Sequence, residues 1–201
     1  MPIRRKYQTY EVRRMLQQAE HRPSPITKVG AHSRSLHSMR TPGGVGVNKT
    51  EMMHRTHKSV GESNKAFKKR GGTTRTSTFK NLVQQADAAQ QALNSTKGQA
   101  ALALLDSHMH KGKNLRVTLE VGPIHEAGFL PATPSPGMHT VHKSHVMVNT
   151  PGAGASGVRL ILDRVAHHTD IHIQTCFPLD TLTGSKYSIK DMDKKINIAN
   201  G

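Results

Sequence analysis

Apolar positions follow two regimes along this chain. Up to about residue 110 they recur at intervals of three and four, and beyond it they alternate. The first regime predicts a short helix over Tyr7–Glu20. Tyr10, Arg14 and Gln17 share one of its faces, and Val12, Met15, Leu16 and Ala19 share another; Pro23 and Pro25 end it. Glu51–Arg70 reads as helix in two pieces, broken near Gly61. Ser63 is the expected cap of the second piece, Phe67 its inward residue and Gly71-Gly72 its stop. Thr78 is the expected cap of the strongest helix, which runs through Phe79, Leu82, Val83, Ala86, Ala89 and Leu93. Gly98 is expected to part it from a further helix over Gln99–Ser107.

Strands follow. Leu115, Val117, Leu119 and Val121 alternate within Asn114–Val121, and Val158, Leu160 and Leu162 within Gly157–Asp163. Val141–Asn149 is a weaker strand. Asp170–Phe177 is the fourth, with Ile171, Ile173 and Phe177 expected on one side and Pro178 closing it. A Pro/Gly loop, Gly122–His139, joins the first two strands, and residues 181–201 are polar and expected to trail away. Helices first and strands after predict an α+β fold, with N-terminal helices packed on an antiparallel sheet.

Composition narrows the picture. Only 34% of the 201 residues are hydrophobic and seven are aromatic, so the core must be small and aliphatic. No stretch of about 18 apolar residues exists to span a membrane, and Met1–Arg14 lacks the apolar segment of a secretory signal. The single cysteine, Cys176, excludes an internal disulfide and a Cys-rich zinc module. Charge is uneven. Residues 1–80 carry 18 Lys/Arg against 4 Asp/Glu, whereas residues 81–201 are nearly balanced. Three segments are therefore expected: a basic flexible arm over 1–50, a domain over 51–180 and a polar tail over 181–201. A basic arm seeks a polyanion: RNA, DNA, an anionic membrane or an acidic protein.

The fourteen histidines offer two candidate constellations. His139, His142 and His145 are spaced by three, but the valines among them favour a strand, on which that spacing alternates faces. No acidic residue or cysteine lies close by, so no metal site and no cofactor is expected. Glu51–Gly61 differs, because His54 and His57 sit among cations ahead of Lys68, Lys69 and Arg70. Neighbouring cations favour the neutral imidazole. A neutral imidazole can take the proton of a ribose 2′-hydroxyl while Lys or Arg holds the phosphate on which charge grows.

Three ordered pieces resemble the bacterial RNase A-like toxin domain of contact-dependent inhibition and other polymorphic toxin proteins. They are His54 with Val60-Gly61-Glu62-Ser63, Phe67 and Arg70; Thr76–Leu82 leading into Ala86, Ala89 and Leu93; and Ile173-Gln174-Thr175-Cys176-Phe177-Pro178. Together they span about 125 of the 201 residues. The resemblance implies a two-lobed fold, here without disulfides, and a ribonuclease toxin acting without metal on RNA, with tRNA the expected substrate. It implies delivery into a target-cell cytoplasm as a secreted or otherwise delivered effector, and an acidic immunity protein as partner. The family's catalytic His directly precedes Val-Gly, a position held here by Ser59. His57 or His54 is thus the candidate base. Arg70 and Lys68 would hold the phosphate and Thr175 would hydrogen-bond substrate. Phe177 stands where the family has Tyr and has no hydroxyl to donate, which leaves it packing or base stacking. His172, three residues from Thr175, is expected on the opposite face and is the weaker candidate acid or substrate contact. The competing readings are a non-enzymatic basic nucleic-acid-binding module, and a metal nuclease built on His139–His145.

Overall fold

The structure is a computed structural model and describes residues 6–31, 49–72, 75–79, 81–124, 128–131, 138–140, 145–148, 156–179 and 184–201. It is α+β. Helices α1 (Thr9–His21), α2 (Lys49–Thr56), α3 (Asn64–Lys69), α4 (Leu82–Asn94) and α5 (Thr96–Asp106) precede most of the strands. Two short strands, β1 (His57–Ser59) and β2 (Arg75–Thr78), lie among them. After α5 come β3 (Leu115–Ile124), β4 (Gly128–Pro131), β5 (Met138–Thr140), β6 (His145–Val148), β7 (Ser156–Arg164), β8 (His172–Leu179), β9 (Lys186–Asp191) and β10 (Ile196–Asn200).

The main sheet is antiparallel, in the order β10-β9-β3-β7-β8. One face is the aliphatic ladder that the alternation predicts. Val117 pairs with Leu162 and Ile189, Leu119 with Leu160, and Leu160 with Cys176, all buried. Helices α4 and α5 cover that face with an alanine-rich stripe, Ala86, Ala89, Ala92 and Leu93 from α4 and Ala101, Leu102 and Leu105 from α5. Small side chains let the helices approach closely. Gly98 lies within the first turn of α5, where an added Cβ would strike the carbonyls of Ala92 and Leu93. The break expected at Gly98 therefore falls at Ser95, whose hydroxyl accepts from the Gly98 N–H at 3.0 Å and caps α5.

Other boundaries move for similar local reasons. Asn81, not Thr78, caps α4, its side-chain oxygen accepting from Gln84 N–H at 2.9 Å; Thr78 ends strand β2. Ser63 caps α3 as expected, accepting from Ala66 N–H at 3.1 Å, and Phe67 is buried. Gly71, at φ +84°, makes the left-handed turn that stops α3.

The expected arm is fixed over residues 6–31. Val12, Leu16 and Ala19 of α1 enter the core, and the helix packs on α4 and β8. Asn94 brackets Tyr7, accepting from its N–H and donating to its carbonyl, both at 2.8 Å. Beyond α1 the chain crosses the sheet edge, where the buried Ser24 hydroxyl donates to Asp163 and Gln174 donates to the Gly30 carbonyl. The expected polar tail is likewise sheet. β9 and β10 form a hairpin on β3, with Ile189 buried among the aliphatic rungs. The weak strand expected over Val141–Asn149 is β6 over its described part, pairing in parallel with β2 and antiparallel with β4. β1 pairs with β5.

A buried cation joins α5 to the sheet. Arg164, 1% exposed, donates to the carbonyls of Leu105, at the C-terminal end of α5, and of His110, the latter at 2.7 Å. It neutralises the carbonyl-rich helix end.

Candidate nucleic-acid interface and catalytic residues

The first group of sequence-predicted residues gathers around Arg70. The α2–β1 junction and the end of α3 face each other, and the Arg70 guanidinium fills the space between them. Its Nε donates to Glu62 Oε1 at 2.6 Å, and one terminal nitrogen donates to Glu62 Oε2 at 2.8 Å and to the His57 carbonyl at 2.7 Å. The other terminal nitrogen donates to the His54 carbonyl. Its plane also lies over the Phe67 ring, 4.9 Å from the centroid. Arg70 draws the Glu62 carboxyl down to about pH 2, and its own pKa is raised in return. Arg70 is thus a clamp on the backbone that carries both histidines.

Those histidines part company. His57 is 0% exposed, with Nδ1 2.9 Å from the Thr56 hydroxyl. A base must touch its substrate, so the preference that chain position gives His57 does not survive its burial. His54 is exposed, as are Lys65, Lys68 and Lys69. These three lysines have no ion-pair partner among the described residues, and Lys58 reaches Asn64 at 3.1 Å. His54 lies close enough to Glu62 to help lower its pKa; an exposed imidazole can accept a proton, and the unneutralised lysines of α3 can hold a phosphate.

The second group lies on the polar face of the main sheet. Between β7 and β8 the register shifts: Ile161 faces Thr175, and the next residue, Leu162, faces Ile173. Gln174 is the extra residue of a bulge. The bulge reverses the expected parity, so His172 and Thr175 share a face. It also takes Phe177 off the side of Ile173 and leaves Cys176 there instead, where burial raises the thiol's pKa.

Three rungs on that face result, Arg116–Asp163–His172, Thr118–Ile161–Thr175 and Glu120–Arg159–Phe177. In the first, Arg116 meets Asp163 through two bonds of 2.7 and 2.8 Å. Burial lowers the His172 pKa and Arg116 adds to this, against Asp163. In the third, Arg159 bonds Glu120 and stands 5.4 Å from the Phe177 centroid, while Lys186 reaches Glu120 at 3.1 Å. Burial works to raise the Glu120 pKa, but the two cations hold it below the usual carboxylate range. Arg159 was not singled out by the sequence; its signal is its polar position between Val158 and Leu160. Thr175 is buried, and β2 lies against both β8 and α2, which links the two groups.

Of the histidine triplet, His139 lies on β5 and His145 on β6, while His142 is outside the described residues. Among the described residues no three His, Cys, Asp or Glu side chains could hold a metal, and no helix is long and apolar enough to cross a membrane. Comparison of the chain with protein-family models, with curated proteins and with solved structures gave no match.

Proposed function

We propose that this chain is a metal-independent ribonuclease toxin that cuts RNA, with tRNA the expected target, by 2′-hydroxyl transesterification. The observation that carries the reading is the exposed His54, whose backbone Arg70 holds against the end of α3, the helix that bears the unpaired Lys65, Lys68 and Lys69. His54 takes the 2′-hydroxyl proton as that oxygen attacks phosphorus, and Lys68 with its neighbours balances the charge that grows on the phosphate. Arg70 positions the backbone of His54. Thr175, buried on the face it shares with His172, positions that wall of the site, and His172 is the imidazole available to protonate the departing 5′ oxygen. Phe177, backed by Arg159, offers a ring for base stacking.

The resemblance to RNase A-like toxins supports this reading, as does the α+β architecture with a bulged Thr-bearing strand. It carries the expectation of a delivered effector that acts in a target-cell cytoplasm and is restrained by an acidic immunity protein. The test is cleavage of a short oligoribonucleotide in EDTA. Products ending in 2′,3′-cyclic phosphate, and none from the same oligomer with 2′-deoxy sugars, are expected; metal-dependent cleavage or equal cutting of both oligomers would overturn it.

A second reading is favoured by Arg70, whose guanidinium is committed to Glu62 and two carbonyls, and by the burial of His57. On it the chain is a basic nucleic-acid-binding module without catalysis, which would bind RNA with a salt-dependent affinity and leave it intact.

A further inference from the structure

A cavity lies apart from the residues argued above, except at Asp163 and His172. It is about 890 Å³ and is bounded by α1, the loop at residues 22–28 and the turn between β7 and β8. That volume suits a ligand of nucleotide size. Its α1 wall is a helical stripe, Glu11, Arg14, Met15 and Gln18, with Arg22 just past the helix end, beside the Val12–Leu16 stripe that enters the core. The other walls are set by local bonds. Ser24 N–H meets the Val29 carbonyl at 2.9 Å, Lys28 N–H returns to Ser24 at 2.9 Å, and His167 N–H bonds Lys111 at 2.7 Å.

The charges lining the cavity sort cleanly. Glu11 is tied to the Gln8 N–H at 2.8 Å, and Asp163 is saturated by Arg116 and Ser24. Lys28 Nζ donates to the Pro25 carbonyl at 2.9 Å. Arg14, Arg22 and Asp170 have no bonding partner among the described residues. Two uncommitted guanidiniums suit one phosphate, for which the planar donor fork of Arg is the best protein match. A single uncommitted carboxylate only accepts hydrogen bonds. Guanine is the base whose edge offers two adjacent N–H donors to such a group. Met15 and Ile171 supply apolar surface for a flat ring.

We infer that this cavity is a binding site for a guanine nucleotide, with the phosphate on Arg14 and Arg22 and the base edge on Asp170. It deepens the ribonucleolytic reading, on which it rests for its biological ligand: His172, the proposed acid, lines the cavity, so a guanosine of the RNA strand seated here lies beside that imidazole.

The test titrates the full chain with 5′-GMP, 5′-AMP and inorganic phosphate by calorimetry, and with two RNA oligomers that differ by one guanosine. Saturable GMP binding is expected, weakened about tenfold or more by Arg14→Ala with Arg22→Ala, as for loss of charged hydrogen bonds. Asp170→Asn should remove the preference for GMP over AMP, and the guanosine-containing oligomer should show the same two sensitivities. Circular dichroism of the variants separates loss of the site from loss of fold. No saturable GMP binding at about 1 mM, equal affinity for AMP, or unchanged binding in correctly folded variants would overturn the site. RNA cleavage is read separately. A chain that binds GMP as described but cuts no RNA keeps the site, as one for free nucleotide, and loses the ribonuclease.

Discussion

His172 and Thr175 lie on one face of strand β8, although three residues separate them, because Gln174 is an extra residue in the pairing with β7. The bulge gathers an imidazole, a hydroxyl and the Phe177 ring along one polar surface. If the buried Thr175 hydroxyl positions this face, Thr175→Val should slow RNA cleavage by about 10²-fold, and Thr175→Ser, which keeps the oxygen, should stay near the parent. Equal rates for parent and Thr175→Val, measured on an oligoribonucleotide, would remove the threonine from the mechanism.

Arg70 gives a prediction about stability. Its fork holds Glu62 and two backbone carbonyls, a geometry that lysine cannot reproduce. Arg70→Lys and Arg70→Ala should both lower the melting midpoint, and increase hydrogen exchange over residues 54–62 while leaving β3 and β7 protected. Exchange unchanged over that segment would contradict the clamp.

Arg164 should matter more. Removing a buried guanidinium strands the carbonyls of Leu105 and His110 and opens a cavity between α5 and the sheet. Arg164→Ala should cost about 3–5 kcal/mol in urea denaturation, far beyond the effect of truncating exposed Lys111.

Acid should destabilise the fold in two stages. Burial lowers the pKa of His110, helped by Lys113 and Arg164, and burial lowers that of His172. A histidine with a lowered folded pKa is protonated first in the unfolded chain. Its contribution is complete above about 6.5, the unfolded value, and is lost as pH falls through the folded values. Glu62 acts later: its contribution is complete above its ordinary value of 4.5 and is lost as pH falls toward about 2. His110→Gln with His172→Gln should flatten the stability profile between about pH 7 and 5 and leave the lower limb in place. A parallel profile for parent and variant would contradict the assignment.

Much of the fold was legible in the chain. Leu115–Val121 and Val158–Leu162 alternate without interruption, and they are the central rungs of the sheet. Phe67 and Ser63 behave as their local pattern predicts. Three features were hidden for physical reasons. The stripe Val12–Leu16–Ala19 is narrow on a helix otherwise polar and basic, so its docking on α4 is a tertiary fact. Tyr187 and Ile189 alternate with polar residues, as a strand with one wet face must, and the lysines around them read as tail. A bulge leaves no mark on spacing, so the shared face of His172 and Thr175 appears only once the register is known. Likewise the exposure of His54 and the burial of His57 depend on the Arg70 clamp, which joins residues up to 16 apart.

The central claim is that an exposed imidazole makes this chain a ribonuclease without metal. It is tested most directly by incubating purified parent, His54→Ala and His57→Gln with total RNA in EDTA, followed on a denaturing gel. The parent should cleave the RNA into discrete products in EDTA. His54→Ala should be slower by about 10²–10⁴-fold with an unchanged circular dichroism spectrum. His57→Gln should lose stability and keep cleavage in its folded fraction. Intact RNA with the parent, cleavage that needs a divalent ion, or a His54→Ala variant that cuts like the parent would contradict it.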